Sequence, residues 1–358
     1  MSTMEKSKIN ERIRRARVSR GMSLDEVAQK MGDITKQALS KFESGKMAPN
    51  SARILKLARA LEVKPEYFFR KETVSLAPLE FRKLAKMPLY RQAQVSELMH
   101  DHLDRYLSLE MCFDESVRAT VLPPRSLKVS SVEEAEEAAN TLRARWAIGG
   151  DAIANLTDLL EFHGIKIILL NVSEDFDGAC AASHDETNVL ISLNKDRPGE
   201  RMRFTAAHEL GHWVMELPES MDDKTKEICC HRFAGAFLFP AAQVKVEFGG
   251  HTRSRVHPQE LLNAKELYGI SMQAIVRRLK DLGLLSPAGY QAITITMSGN
   301  GWRRMEPGAL PSERPRRFES LVFRALAEGM ITVSRAAEFL QIPISQLDAG
   351  VCGALVHE

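Results

Sequence analysis

The sequence predicts a multidomain protein: an all-α module of five short helices, then an α+β domain, then a mostly helical C-terminal region. Three observations lead there. A chain of 358 residues exceeds what one domain usually holds. Residues 1–70 read as short amphipathic helices divided by Gly and Ser turns. Near the middle, helical periodicity gives way to short strand-type runs before helices resume.

Composition narrows the classes. Hydrophobic residues are 44% and charged residues 27%, as in soluble globular proteins. No uninterrupted apolar run approaches 18 residues, which argues against a membrane partner. Residues 1–10 are polar and charged, unlike a secretory signal. The five cysteines (Cys112, Cys180, Cys229, Cys230 and Cys352) are odd in number and scattered, which suits a reducing, cytoplasmic setting. Charge is uneven. Residues 1–70 hold 16 Lys and Arg against 8 Asp and Glu, so +8 there leaves −6 for the remainder of a chain whose net charge is +2. A basic module on an acidic body points to a polyanion partner.

Residues 9–20 form a first helix, with Ile13 and Ala16 inward, closed by Gly21. Ser23-Leu24-Asp25-Glu26 is a capping box that opens a second, with Leu24, Val27, Ala28 and Met31 apolar. Thr35 caps a third over residues 36–43, with Leu39 and Phe42 inward. Pro49-Asn50-Ser51 starts a fourth, burying Ile54, Leu57, Ala58 and Leu61, and residues 65–69 add a last short turn. Two short helices joined by a Gly-containing turn, inside a unit of about 65 residues, make a helix-turn-helix.

These residues, with Leu39-Ser40-Lys41-Phe42-Glu43-Ser44-Gly45 and Leu57-Ala58-Arg59-Ala60-Leu61, resemble the Cro/phage-repressor (XRE) class of DNA-binding domains. The resemblance implies that the third helix enters the major groove of double-stranded DNA, with Lys36, Gln37, Ser40 and Lys41 toward it. Gln37 suits adenine and the lysines suit phosphate. A homodimer fits the paired half-sites such modules read.

Residues 71–130 read as a helical linker region, helical over 79–84 and 95–109 and broken by Leu122-Pro123-Pro124-Arg125. Residues 132–146 and 153–163 are helices; 165–170, 179–182 and 188–193 are strands. Next comes His208-Glu209-Leu210-Gly211-His212, an H-E-x-x-H stretch. On a helix the two imidazoles share a face and can bind one metal, with Glu209 placed beside a ligand. A hydrolytic zinc site needs a third protein ligand and an open position. A helix over 224–238 offers Glu227, Cys229, Cys230 and His231. Its apolar stripe is Phe233, Ala234, Phe237 and Leu238. Glu227 lies near the stripe's edge, Cys230 reads as core, and His231 and Cys229 are candidates to stand just behind the ligands.

From Glu227-Ile228-Cys229-Cys230-His231-Arg232-Phe233-Ala234 to Phe239-Pro240, with the H-E-x-x-H before it, the chain resembles the ImmA/IrrE family of zinc metallopeptidases. The resemblance covers residues 130–285. It implies a zincin-like fold, Zn2+ as cofactor, and Glu227 as the third ligand beside His208 and His212. The family often has Ala-Asn or Cys-Asn where this chain has Cys230-His231. Glu209 is then the general base of a metalloprotease, taking the water's proton and passing it to the leaving amine. Candidates for a second donor to the oxyanion are His184, His231, Arg203 and Tyr268, and substrate can be held as an added strand on residues 188–193 or 179–183.

Residues 259–268 and 270–282 read as helices packed beside the catalytic ones, 291–297 as a strand, 298–316 as a loop, and 318–326 and 333–340 as helices. The domain expectation is 1–70 DNA-binding, 71–130 linker, 131–285 metallopeptidase and 286–358 a C-terminal region of unknown role. The functional expectation is a cytoplasmic transcription regulator and hydrolase that cleaves a repressor- or antitoxin-like protein. Two rivals are a non-catalytic transcription factor whose zinc pocket senses a signal, and an antitoxin-type partner-binding regulator.

Overall fold

The computed structural model describes residues 3–70, 87–114, 117 and 122–347, so the expected helix over 79–84 and Cys352 lie outside the described residues. The described residues fall into two compact units. One gathers 3–70, 87–114, 172–176 and 325–347; the other gathers 117, 122–171 and 177–324.

The first unit opens with α1 (Thr3–Ser19), α2 (Leu24–Met31), α3 (Lys36–Glu43), α4 (Ser51–Ala60) and a 3₁₀ turn, Pro65–Phe69. Local chemistry fixes each start. Ser23 and Glu26 exchange both bonds of the capping box, at 3.2 and 2.7 Å. Thr35 accepts from the Ala38 amide and Asn50 from the Arg53 amide. Each such cap stabilises its helix by about 1 kcal/mol. Gly32 ends α2 at φ 75°, a conformation that costs any residue with a Cβ. Ile13, Val27, Leu39, Leu57, Leu61 and Phe68 meet in one core with no exposure. Arg17 forks onto Glu43 at 2.6 and 2.8 Å and ties α1 to α3.

A 22-residue helix, α5 (Leu89–Glu110), joins this unit through a buried pair, Arg12 to Asp104 at 3.2 Å. The chain returns to the unit at its far end. Helix α15 (Val333–Leu340), which follows α14 (Arg317–Ala327), buries Ala336, Ala337 and Phe339. Glu338 of α15 pairs with Arg70, and Arg105 of α5 donates to the Phe339 carbonyl. Lys64 donates to the Ser334 carbonyl at 3.3 Å.

The second unit is α+β. In chain order it has β1 (Leu127–Lys128), α6 (Val132–Arg145), α7 (Leu156–Phe162), β2 (Ile165–Leu170), β3 (Gly178–Ala182), β4 (Val189–Asn194), α8 (Gly199–Val214) and β5 (Met215–Glu216). Helices α9 (Asp223–Leu238), α10 (Ala241–Phe248), α11 (Pro258–Tyr268), α12 (Met272–Asp281) and α13 (Pro287–Gly299) follow. The sheet order is β2-β4-β3, with β2 parallel and β3 antiparallel to β4. Every residue of β4 is buried, as its central place requires. β1 and β5 make a two-residue parallel pair, Leu127 opposite Met215. The core runs from Ala139 and Leu142 of α6 through Ile165 and Ile191 to Phe233, Phe237 and Ile275, all nearly unexposed.

Residues 291–297 are helical, not a strand. The run Ile293-Thr294-Ile295-Thr296 alternates and is β-branched, which favours a strand reading. In the fold, Thr294 and Thr296 donate their hydroxyls to the carbonyls of Tyr290 and Ala292, four residues back. Gly289, Ile293 and Met297 then share one buried face, with Ser286 as cap and Pro287 in the first turn. Residues 300–316 carry no regular helix or strand. Carboxylates hold them in place. Glu306 accepts from Lys265 at 3.1 Å and from the amides of Met272 and Gln273 that open α12. Lys265, wholly buried, also donates to Glu200 at 2.7 Å, and Glu200 accepts from the Leu310 amide.

Candidate metal centre

Three side chains from two consecutive helices converge. His208 and His212 lie four residues apart on α8, so both rings leave the same face. Their Nε2 atoms are 3.2 Å apart. Glu227, in the second turn of α9, places Oε2 3.3 Å from His208 Nε2 and Oε1 3.3 Å from His212 Nε2. The start of α9 is fixed by Asp222, which accepts from the Thr225 amide at 3.0 Å and its hydroxyl at 2.6 Å.

Gly211 explains how close the two helices come. A Cβ built there would stand 2.9 Å from Phe233 Cδ1 of α9, closer than real Cβ contacts allow. The glycine inside the H-E-x-x-H stretch leaves α8 unbroken and lets the Phe233 ring lie on its backbone. Farther along, Arg278 of α12 forks onto Glu136 of α6 with both bonds at 2.6 Å, and Arg232 Nε lies 2.7 Å from the same carboxylate. This buried group locks α6, α9 and α12 together.

The donor set suits a small divalent cation. Two imidazole nitrogens and a carboxylate have donor atoms within 4.8 Å of one another. The two imidazole nitrogens stand 3.2 Å apart and each has a different Glu227 oxygen at 3.3 Å, so both rings and the carboxylate can reach one ion, as histidine and carboxylate ligands of zinc do. His208 is nearly buried, His212 is 16% exposed and Glu227 39%, so the cluster opens to solvent on the Glu227 side. Glu209 follows His208 on α8 and is 3% exposed.

The other residues singled out in the sequence separate clearly. His231, one turn after Glu227, is brought to the cluster: its ring centroid is 4.5 Å from that of His208 and 5.9 Å from that of Phe204. Cys229 is not; its thiol donates to the Ser131 carbonyl at 3.7 Å, on the α6 side of the helix, and burial pushes it up from the ordinary thiol pKa. Cys230 is fully buried in the core. Arg203 is not available as an oxyanion donor, because its guanidinium serves the Gly269 and Ile153 carbonyls and Glu313. The Tyr268 hydroxyl faces Glu247 at 3.3 Å, and burial first, with that carboxylate, pushes it above the usual tyrosine pKa. His184 is exposed just past β3.

Of the two strands considered for substrate, β4 has neighbours on both sides and cannot take another. β3 pairs with β4 alone among the described residues. It also lies against α8: a Cβ on Gly178 would stand 2.5 Å from Thr205 Cγ2, three residues before His208. Sequence reasoning missed Glu136, Arg278, Glu200 and Lys265 as supports of the site, since each partner lies far along the chain from the other.

In the first unit, Lys36, Gln37, Ser40 and Lys41 are all exposed on α3, while Leu39 and Phe42 face the core. Lys36 Nζ is 2.6 Å from Asp25 Oδ2.

Residues 13–68 match the helix-turn-helix family model, and residues 160–280 match the M78 peptidase model, described as the IrrE N-terminal-like domain. No curated protein matches the chain. The chain thus joins an XRE-type helix-turn-helix module to an IrrE-like, peptidase-type domain.

Proposed function

We propose that this fusion is a cytoplasmic DNA-binding regulator whose second domain is a zinc-dependent endopeptidase acting on a repressor- or antitoxin-like protein. One observation carries the reading: His208, His212 and Glu227 bring their donor atoms within 4.8 Å of one another, with Glu209 next to the first ligand. Zinc held there supplies a Lewis acid and lowers the pKa of water toward neutrality. The Glu209 carboxylate accepts a proton from the attacking water and returns it to the amine nitrogen as the C–N bond breaks. An extended stretch of substrate adds to the outer edge of β3, where main-chain hydrogen bonds hold it beside α8. Phosphate contacts from Lys36 and Lys41 and a base contact from Gln37 hold the module, as a homodimer, on its operator.

A purely sensory zinc pocket needs the three ligands but not the neighbouring carboxylate. Glu209→Gln keeps every ligand and removes the base. We expect that variant to bind zinc at the parent stoichiometry and to lose cleavage of the partner protein. Equal cleavage by Glu209→Gln and parent would sink the enzyme reading; loss of regulation in His208→Ala but not in Glu209→Gln would favour the sensor.

A further inference from the structure

The charged side chains of the irregular segment 300–316 sort by sign. Its two carboxylates turn inward. Glu306 is 6% exposed and accepts from Lys265 and from the Met272 and Gln273 amides; Glu313 is 13% exposed and accepts from Arg203 and the Leu156 and Thr157 amides. Its four arginines, Arg303, Arg304, Arg314 and Arg316, are all exposed. None of the four has a carboxylate partner among the described residues. The segment therefore shows solvent four positive charges and no negative one, in a part of the chain that is acidic as a whole: residues 71–358 sum to −6.

The backbone that carries these arginines is pinned along its length. The Trp302 and Arg303 carbonyls accept from the Gln273 side chain at 3.2 and 3.4 Å. Leu310 exchanges bonds with the first turn of α8, accepting from the Gly199 amide at 3.2 Å and donating to Glu200 at 3.1 Å. The Arg316 amide donates to Glu161 of α7 at 3.0 Å. The two carboxylate anchors lie side by side, because Lys265 joins Glu306 to Glu200, and Arg203, the partner of Glu313, stands one turn further along α8. The pairs Arg303–Arg304 and Arg314–Arg316 thus flank one turn of that helix on a fixed frame. Binding at such a surface orders no loop, so little conformational entropy opposes it.

We propose that segment 300–316 is a second DNA contact of this protein, whose four guanidiniums bind the phosphates of a duplex without regard to sequence. The inference rests on the DNA-binding half of the function proposed above. Charge of this kind suits phosphate, and the helix-turn-helix module at residues 13–68 brings the chain to a duplex. Each guanidinium offers a fork of N–H donors to phosphate oxygens. DNA carries one negative charge per about 1.7 Å of its axis, so paired arginines meet phosphates in any register. The polar side chains that could read a base edge are engaged elsewhere: the Asn300 amide donates to the Thr296 carbonyl at 3.0 Å, and the Ser312 hydroxyl to the Arg197 carbonyl at 3.3 Å. Charge on a rigid backbone, without a free amide beside it, positions a duplex and does not read it.

The test titrates the full chain against a random-sequence duplex at several salt concentrations. Four proteins are compared: the parent, Lys41→Ala, the combined variant Arg303→Gln, Arg304→Gln, Arg314→Gln and Arg316→Gln, and the same four positions changed to Lys. Melting midpoints of both fourfold variants should match the parent, since the side chains are exposed. Four phosphate contacts at about 0.9 each predict a salt slope lower by about 3–4 in the fourfold Gln variant. The fourfold Lys variant keeps the charge and should keep most of the slope. Equal slopes in the parent and the Gln variant, with Lys41→Ala still lowering its own, overturn this contact and leave the helix-turn-helix reading standing. A Lys variant that loses as much as the Gln variant overturns it too, because charge is then not the cause. If the Gln variant holds the duplex as the parent does but loses a polyglutamate peptide that the parent binds, the surface belongs to an acidic protein and the DNA contact falls. A parent with no salt-dependent affinity for duplex overturns the DNA-binding reading and this inference with it.

Discussion

Arg203 and Glu313 form a buried ion pair that ties the helix carrying the two histidines to a segment with no regular structure. Each partner does more than pair. The guanidinium donates to Gly269 and Ile153, and the carboxylate accepts from the Leu156 and Thr157 amides that open α7. One pair therefore fixes α7, α8 and the turn between α11 and α12. Glu313→Ala strands a buried cation and two amides, which should cost about 3–5 kcal/mol. Exposed Glu319 serves as the control, and its Ala variant should stay within about 0.5 kcal/mol. Thermal melting of both variants checks this; matched midpoints would show that the pair is not structural.

Gly211→Ala should loosen the metal centre without touching a ligand. The new Cβ meets the Phe233 ring at 2.9 Å, and Phe233 lies on the helix that brings Glu227. The ring or the helix must yield. A displacement of a few tenths of an ångström at Glu227 is enough to lower metal affinity about tenfold, the scale on which supports of metal ligands act. Glu227→Ala, which removes a ligand outright, should cost at least about a hundredfold. Chelator competition ranks the three proteins. The idea fails if Gly211→Ala holds metal as tightly as the parent.

Glu136 gives the second unit an acid-sensitive lock. Burial on its own would raise its carboxyl, but the Arg278 hydrogen bonds and the charges of Arg278 and Arg232 outweigh burial and hold it below the usual carboxylate value of 4.5. A lowered pKa means the unfolded chain binds the proton more readily. The stabilisation is then complete above the ordinary glutamate pKa and disappears as pH falls through the lowered one. Glu136→Gln should be the less stable protein at pH 7, by about 3 kcal/mol. The gap should narrow below about pH 4.5. Melting midpoints across pH 7 to 3 decide it: parallel curves for parent and variant would exclude Glu136 as the source.

The N-terminal helices and the two candidate histidine ligands are legible because their signals are local. Ser23 with Glu26, Thr35 and Asn50 state where helices start, and His208 with His212 states a shared face through a spacing of one turn. Glu227 needed the resemblance, since three other side chains on the same helix can bind metal. Helix α13 was misread because Thr294 and Thr296 favour strands until their hydroxyls find carbonyls in the preceding turn. Supports such as Arg278 with Glu136 and Lys265 with Glu200 pair across distant parts of the chain, and nothing in a single sequence couples them. The return of α15 to the first unit, through Glu338 with Arg70 and Arg105 with Phe339, is hidden for the same reason.

The pairing of Lys36 with Asp25 makes a distinction on α3 that the sequence alone does not. Both lysines are exposed on the helix proposed to enter the groove, yet Lys36 already holds a carboxylate at 2.6 Å. Lys41 has no carboxylate partner among the described residues. A lysine that neutralises a phosphate releases a counterion, and each such contact adds about 0.9 to the salt slope of binding. Lys41→Ala should therefore lower the slope by about 1 and weaken binding to all sequences alike. Lys36→Ala should lower it by less, because the Asp25 carboxylate offsets part of the charge that DNA would otherwise meet. Asp25→Asn removes the offset. It should tighten binding at low salt, and Lys36→Ala made in that background should then take away the full increment. Gln37→Ala should act differently, leaving the slope alone and relaxing preference at one base pair by about 1–3 kcal/mol. Titrations against operator and random duplexes at several salt concentrations separate these effects. A slope that Lys41→Ala leaves unchanged would place α3 away from the phosphates, and the groove assignment would have to move to another helix.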